Sequence, residues 1–182
     1  IVVVIDEAYA EYVTADDYPG YPDCTKWLAD YPNLLVTRTF SKIFGLAGLR
    51  IGYGVSSPAL ADYLNRVRQP FNVNSLALLA AEASLDDDEH IARSRQLNHD
   101  GMAYLEDVCS ERGLPFIPSA GNFLAIDFGR PADAIFQDMM QQGVIVRPVG
   151  NYGMPNFLRV TIGTEHENRR FVDVLDRVLQ ND

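Results

Sequence analysis

Two runs of consecutive apolar residues near the start of the chain end in polar side chains. The run IVVVIDEAY ends at Asp6, and NLLVTRTFSK ends at Thr39, Ser41 and Lys42. Uninterrupted β-branched runs are typical of strands buried on both faces of a parallel sheet. Because parallel strands end at one edge of a sheet, we expect Asp6 and Lys42 to share a crevice there. A shorter run, LRIGYGV, predicts a third strand.

The middle of the chain predicts three helices. ALADYLNRVRQ follows the capping sequence Ser56-Ser57-Pro58 and stops at Pro70. NSLALLAAEASL predicts a more apolar and more buried helix. A long charged helix begins at the acidic run 86–89, which suits a helix N-terminus, and ends at Gly113. We interpret this helix as the bridge into a second unit.

The rest of the chain alternates predicted strands and helices, which indicates an α/β fold in both units. In order these are NFLAIDF (strand), ADAIFQDMMQQG (helix), VIVRPV and FLRVTIG (strands) and TEHENRRFVDVLDRVLQ (helix). The last helix has Thr164 and Glu167 at capping-box spacing. Its apolar residues fall on one face; they are Phe171, Val174, Leu175 and Val178.

Composition and charge narrow the class of protein. With 47% hydrophobic and 22% charged residues, the 182-residue chain resembles a soluble globular protein. A net charge of −10 argues against a nucleic-acid partner, which would require clustered positive charge. The apolar runs are far shorter than the roughly 20 residues of a membrane helix, so no membrane partner is expected. With no leader sequence, we expect a cytoplasmic protein, and a start inside a predicted strand suggests the later part of a longer one.

Cysteine and histidine spacing does not indicate a metal site. Cys24 and Cys109 lie far apart and in no CxxC pattern, so neither a metal nor a disulfide framework is expected. His90 and His99 are nine residues apart on a predicted helix and would face opposite sides. His166 is interpreted as a solvated residue in the first turn of the last helix.

Lysine is rare here, since the chain has two lysines and thirteen arginines. Lys26 lies in a polar, surface-like stretch, whereas Lys42 lies between a buried strand and a glycine-rich turn. A partly desolvated lysine is suited to forming a Schiff base with a carbonyl. Considered alone, Lys42 is more simply interpreted as a surface lysine at a strand end.

The neighbours of Lys42 suggest a phosphate. Thr39 and Ser41 alternate at the strand end, Gly45 and Gly48 permit close backbone approach, and Arg50 follows. Hydroxyls combined with a guanidinium bind phosphate groups. Together with a lysine, this set indicates a phosphorylated aldehyde.

Asp6 and Tyr9 are the two groups that pyridoxal phosphate would still need. A carboxylate against the ring nitrogen keeps the pyridinium protonated, and a hydroxyl can meet the phenolic oxygen. Each residue also has an ordinary explanation, because acids commonly cap helices and tyrosines commonly pack in cores.

DEAY, followed by SK and GLAGLRIGY, resembles the class I and II aminotransferases, which are fold-type I pyridoxal-phosphate enzymes. The resemblance implies the C-terminal part of that fold, with residues 1–85 completing a large cofactor-binding domain and 86–182 forming a small domain. It implies that Lys42 binds pyridoxal 5'-phosphate covalently, Asp6 pairs with its ring nitrogen and Tyr9 meets its phenolic oxygen. The phosphate-binding residues would be Thr39, Ser41 and Arg50.

The segments GNFLAIDF, GVIVRPV and NFLRVTIG extend the resemblance to substrate binding. In this family the arginine of the last segment, here Arg159, binds the substrate carboxylate in bidentate fashion. Asn122 matches an asparagine near the substrate, and Arg147 would bind a second anion together with Arg159. The alternative interpretation is that both arginines are ordinary charged residues at the ends of strands.

Within the family, IDEAYAEY, RTFSKIFGLAGLRIGY and PFNVNSLA are most similar to the histidine-biosynthetic members, which exchange an amino group between glutamate and imidazole acetol phosphate. Members form homodimers of subunits about twice this length, and their first half completes the cofactor pocket. Two alternatives stay open. One is a related enzyme, such as a threonine-phosphate decarboxylase or an aromatic aminotransferase, and the other is a folded, non-catalytic piece.

Overall fold

The computed structural model describes residues 1–180, which form two compact units, Ile1–Arg93 and a second that begins at Ser94. The helices are α1 (Pro58–Val67), α2 (Ser75–Leu85), α3 (Asp88–Glu111), α4 (Asp133–Gln141) and α5 (Glu165–Gln180). The strands are β1 (Val3–Asp6), β2 (Leu34–Thr39), β3 (Gly52–Ser56), β4 (Phe116–Ile117), β5 (Phe123–Asp127), β6 (Arg147–Pro148) and β7 (Phe157–Thr161). None of the described helices combines the length and the apolar character needed to cross a bilayer.

The first unit has a three-stranded sheet in the order β1-β2-β3. β1 runs parallel to β2, with Asp6 opposite Thr37, and β3 runs antiparallel to β2, with Gly52 opposite Thr39. The three strands predicted from the apolar runs are confirmed. Because β1 and β2 are parallel, Asp6 and Thr39 end their strands at the same edge of the sheet.

The two faces of this sheet differ. One packs Leu34 and Val36 against Cys24 in the short 3-10 helix Cys24–Ala29, and these three side chains form a small buried core. Since strand side chains alternate between faces, Asp6, Thr37 and Thr39 lie on the other, which we call the polar face. The β3 residues opposite the two threonines are glycines, so β3 adds no side chain at these positions of the polar face.

Two elements of the first unit, β1 and α2, are less buried than the sequence predicts. Val3 and Val4, which lie on opposite faces of β1, are 47% and 58% exposed, so within residues 1–180 neither face of β1 is fully covered at these positions. The expectation of a strand covered on both faces is therefore wrong for the described residues. In α2 only Ala77 and Ala81 are buried, because small residues face the packed segment that follows β2. The α2 leucines are more than half exposed, and they are Leu76, Leu78, Leu79 and Leu85.

The second unit has a four-stranded antiparallel sheet in the order β4-β5-β7-β6. The predicted strand VIVRPV is reduced to the two residues of β6, and β4, also two residues long, was not predicted. The expected capping box is confirmed, since Glu167 N donates to Thr164 Oγ1 and Thr164 N donates to Glu167 Oε2. The predicted apolar face of α5 is also confirmed, since all four of its residues are buried in the core of this unit.

Candidate active site

Lys42 lies in a turn whose backbone is held on both sides. Phe40 N donates to Ile51 O at 3.2 Å, and the Lys42 carbonyl accepts from Gly45 N at 2.9 Å. Gly45 has a φ of 71°, a left-handed conformation that favours glycine. The Phe40 ring is buried with Ile51 and two α2 alanines. The segment that carries Lys42 is therefore anchored in the core of the first unit.

The side chain of Lys42 lies over an aromatic ring. Its Nζ is 4.9 Å from the centroid of the Tyr9 ring, within the range of a cation–π contact. Tyr9 precedes the 3-10 helix Ala10–Tyr12, and its carbonyl accepts from Tyr12 N at 3.0 Å. Two residues that are 33 positions apart in sequence, both predicted to be functional, thus meet at the end of the sheet.

Asp6 is exposed at the end of β1. Its Oδ1 accepts from Ala8 N at 3.1 Å, which orients the carboxylate just before the chain reaches Tyr9. Asp6 shares the polar face with Thr37 and Thr39. An exposed carboxylate at this edge is available to a cationic group on a ligand.

Arg50 and Ser41 come together after the strand end. Arg50 has left-handed backbone angles, φ 54° and ψ 52°, and its Nη1 donates to Ala47 O at 2.8 Å. The same nitrogen lies 3.5 Å from Ser41 Oγ, and Thr39 Oγ1 accepts from Ser41 N at 3.0 Å. These contacts cluster two hydroxyls and a guanidinium, which suits a phosphate group.

An ion pair beneath this edge, between buried Glu7 and half-buried Arg38, was not predicted from the sequence. Arg38 donates from Nε and Nη2 to Glu7 Oε2, at 2.9 and 2.8 Å. Burial by itself lowers the pKa of the Arg38 guanidinium, but hydrogen bonds to Glu7 and Tyr53 raise it above its usual range. Burial, followed by interactions with Glu7, raises the pKa of the Cys24 thiol to about 11. Glu7 lies in the DEAY motif and Arg38 lies shortly before the SK motif, but only the register of β1 and β2 shows that they pair.

His90 is a second residue whose role sequence spacing did not indicate. Its Nε2 lies 2.8 Å from the carbonyl oxygen of Ile43, the residue after Lys42. His90 therefore donates to the backbone of the lysine turn from the first turn of α3. No group of three or more metal-ligating side chains occurs within residues 1–180.

The candidate substrate residues lie in the second unit. Arg147 and Arg159 are directly opposite each other on β6 and β7. The Arg159 guanidinium lies 4.9 Å from the centroid of the Phe123 ring, and Arg147 Nη2 donates to Tyr152 Oη at 3.2 Å. Across residues 1–180, neither guanidinium has a carboxylate at ion-pair distance. Opposed like charges without a counter-charge are unfavourable, so this strand pair is suited to binding an anion.

Asn122 precedes β5, and its carbonyl accepts from Ile162 N at 2.8 Å. Asn98 on α3 donates from Nδ2 to the Gly121 carbonyl at 3.1 Å, so the backbone before Asn122 is held from two sides. Of the nine residues predicted to form the site, six thus lie in the first unit and three in the second.

Known proteins show which family this arrangement represents. The family Aminotransferase class I and II matches residues 1–175, and the chain belongs to this family. The resemblance inferred from DEAY and SK…GLAGLRIGY is confirmed.

Individual members of the family are similar to nearly the whole chain. Over 179 residues the chain is 60% identical to histidinol-phosphate aminotransferase 2 of Pseudomonas fluorescens strain Pf0-1, covering 98% of the chain and 48% of the relative. It is 58% identical over 182 residues to histidinol-phosphate aminotransferase 2 of Pseudomonas aeruginosa, covering 100% of the chain and 48% of that relative. The chain therefore spans about half the length of these curated relatives.

Solved structures agree with the fold. The histidinol-phosphate aminotransferase of Sinorhizobium meliloti, in complex with pyridoxal-5'-phosphate, is 30% identical and superposes with a TM-score of 0.89, over 99% of this chain and 49% of that one. L-Threonine-O-3-phosphate decarboxylase of Porphyromonas gingivalis shares the fold at 21% identity, with a TM-score of 0.77, over 97% of this chain and 55% of that one. The expected fold class, the C-terminal part of fold-type I, is confirmed.

Proposed function

We propose that the chain carries the cofactor-binding lysine and the substrate-binding arginines of a pyridoxal-phosphate-dependent aminotransferase. The observation that carries the proposal is the position of Lys42, anchored at the end of β2 with its amine over the Tyr9 ring. A lysine on a rigid turn beside a hydroxyl–guanidinium cluster is suited to a phosphorylated aldehyde.

The residues at this edge fit pyridoxal phosphate. Ser41 and Arg50, together with Thr39, would hold its phosphate, and Asp6 would face its ring nitrogen. Tyr9 would meet the phenolic oxygen. At the end of β2, the β3 residue opposite Thr39 is Gly52, so β3 adds no side chain beside Thr39.

The bound cofactor would supply an electron sink for the charge that develops at the substrate Cα. Lys42 Nζ would remove the proton from that carbon and later return one, acting as general base and then general acid. Asp6 would hold a proton on the ring nitrogen by its negative charge. Arg159 would bind the substrate through its carboxylate.

For the substrates we propose glutamate with 2-oxoglutarate, and histidinol phosphate with imidazole acetol phosphate. Support comes from the opposed Arg147 and Arg159, which suit a carboxylate in one half-reaction and a phosphate in the other. Relatives about 60% identical to the chain are histidinol-phosphate aminotransferases. We further propose that the protein is cytoplasmic and forms a homodimer; sedimentation of the full-length protein would test the dimer, and cell fractionation would test the location.

Borohydride trapping tests the assignment of the lysine. The full-length protein is mixed with pyridoxal phosphate, reduced and mapped by peptide mass, and we expect the label on Lys42. Lys42→Ala should lose both the label and the visible absorption band, whereas Lys26→Ala, at an exposed lysine, should keep both. Label on Lys26, or on neither lysine, would overturn the proposal.

Substrate assays separate the alternatives. Histidinol phosphate with 2-oxoglutarate is compared with threonine phosphate and with phenylalanine. Turnover of threonine phosphate with release of CO₂ would indicate the decarboxylase, and preference for phenylalanine would indicate an aromatic aminotransferase. A full-length protein that binds the cofactor and turns over none of them would favour the non-catalytic alternative.

A further inference from the structure

The ion pair Glu7–Arg38 lies directly against the residues of the candidate site. In the chain, Glu7 follows Asp6 and Arg38 precedes Thr39. Alternation of side chains directs Arg38 to the face opposite the polar face, and Glu7 meets it there. The pair therefore joins the ends of β1 and β2 on the face opposite the polar face, whereas Asp6 and Thr39 lie on the polar face.

The burial of Glu7 makes its carboxylate depend on the ion pair with Arg38. Its side chain is 1% exposed, and one oxygen, Oε2, accepts both bonds from Arg38. Arg38 is opposite Tyr53 in the β2–β3 ladder, so the pair is braced by the third strand as well. A carboxylate buried this deeply is tolerated only with a well-placed counter-charge, and removal of one partner leaves an uncompensated charge.

Buried ion pairs often contribute little net stability compared with apolar residues of similar size, so a stabilising role alone explains this pair poorly. Its location suggests a geometric role instead. Glu7 N donates to Thr37 O at 2.9 Å, which is the backbone bond that continues the β1–β2 ladder past Asp6. Losing the side-chain pair would free the residues after Asp6, including the Ala8 amide that orients the Asp6 carboxylate.

We propose that Glu7 and Arg38 are positioning residues, which hold the Asp6 carboxylate in register with the β2 end that leads to Lys42. Neither residue is assigned a contact with the reacting groups, and each acts through the backbone at the end of its strand. This inference rests on the proposed function, because it assigns to Asp6 the place opposite the cofactor ring nitrogen.

The test compares three variants of the full-length protein. Glu7→Gln removes the charge at constant size, Arg38→Lys keeps a charge but loses the two-pronged contact, and Arg112→Met is the matched control. Arg112, the residue after α3, makes a two-bond ion pair with Asp176 on α5, at 2.6 and 2.8 Å, and neither residue adjoins a candidate site residue. The control thus shows whether breaking a two-bond ion pair away from the candidate site alters the readouts below.

Two readouts separate positioning from stability. The first is amide hydrogen exchange of Glu7 and Ala8 in the cofactor-free protein, which we expect to become roughly tenfold faster in Glu7→Gln and Arg38→Lys but not in Arg112→Met. The second is the pH midpoint of the visible absorption band of the bound cofactor, which depends on the carboxylate facing the ring nitrogen. It should shift in both site variants and stay unchanged in the control.

A Glu7→Gln variant that loses thermal stability as the control does, with exchange at Glu7 and Ala8 and the pH midpoint both unchanged, would overturn the positioning role. Absence of any visible band in the wild-type protein would instead refute the proposed function. The exchange measurement needs no cofactor, so it would still decide the role of the pair.

Discussion

Lys42 and Tyr9 meet through the amine of one and the ring face of the other, 4.9 Å apart. The contact joins the turn after β2 to the segment after β1, at the edge where the two parallel strands end. A cation over an aromatic face is attracted by about 0.5–1 kcal/mol at an exposed site. The Tyr9 ring therefore helps to position the lysine, independently of the hydroxyl at its end.

Substitutions at Tyr9 should separate these two contributions. Tyr9→Phe keeps the ring face and removes the hydroxyl, so we expect Lys42 to be labelled normally while kcat falls and the pH midpoint of the visible band shifts. Tyr9→Leu removes both contributions and should also slow labelling. Equal labelling rates in the two variants would show that the ring face does not position the lysine. Reductive trapping time courses and stopped-flow absorbance provide the measurements.

His90 should support the lysine turn through the Ile43 carbonyl. His90→Ala leaves that carbonyl without its donor, at a cost of about 1–3 kcal/mol, and we expect weaker cofactor binding as a result. His99→Ala is the matched control, because His99 lies on the same helix with an exposed side chain. Urea unfolding and cofactor titration of both variants test this. Equal cofactor affinity in the two variants would contradict it.

Arg159 should act on the substrate rather than on the cofactor. Arg159→Ala removes the guanidinium that would bind the glutamate carboxylate, so KM for glutamate should rise far more than the cofactor dissociation constant. Arg169→Ala, which breaks an exposed pair with Glu165 on α5, should leave both constants unchanged. Steady-state kinetics of the full-length variants provide the comparison. Unchanged glutamate kinetics in Arg159→Ala would refute the role.

Gly52 should be intolerant of any side chain. A Cβ at this position would lie 2.7 Å from the Arg38 carbonyl oxygen, a backbone atom that cannot move without disturbing β2. We expect Gly52→Ala to lower the free energy of unfolding by about 1–3 kcal/mol. Gly48→Ala is the control, since a Cβ there meets nothing within 4 Å. Urea unfolding that gives the same midpoint for both variants would contradict this.

The capping box of α5 should make the free energy of unfolding depend on pH in the acidic range. Hydrogen bonds from the backbone and then the side chain of Thr164 hold the pKa of the Glu167 carboxyl below its usual range. A lowered folded-state pKa contributes stability above the unfolded value, about 4.3, that is lost as pH falls through the folded value. Glu167→Gln should therefore be less stable than wild type at pH 7, and the difference should narrow below about pH 4. Thermal unfolding between pH 3 and 7 measures it, and a constant difference across that range would disprove it.

Much of this protein was predictable from local pattern. Continuous apolar runs identified the strands of the first sheet, and apolar spacing with a capping pair identified α5, because both signals depend on residues close together in sequence. The order of the residues in DEAY and SK…GLAGLRIGY was sufficient to identify the family. In contrast, β4 is two residues long, too short to show periodicity, and only Arg147–Pro148 of the predicted strand VIVRPV form β6.

By itself, the sequence determined the longer helices and strands, the family and the residue types at the site, since each follows from chemistry within a short stretch of chain. Only the tertiary structure decided which distant residues meet. Strand register pairs Glu7 with Arg38 and sets Arg147 opposite Arg159, and chain folding brings His90 to the Ile43 carbonyl. Within residues 1–180, packing also decided that α2 buries alanines rather than leucines. These outcomes depend on which surfaces come together in space, and hydrophobicity along the chain does not encode that.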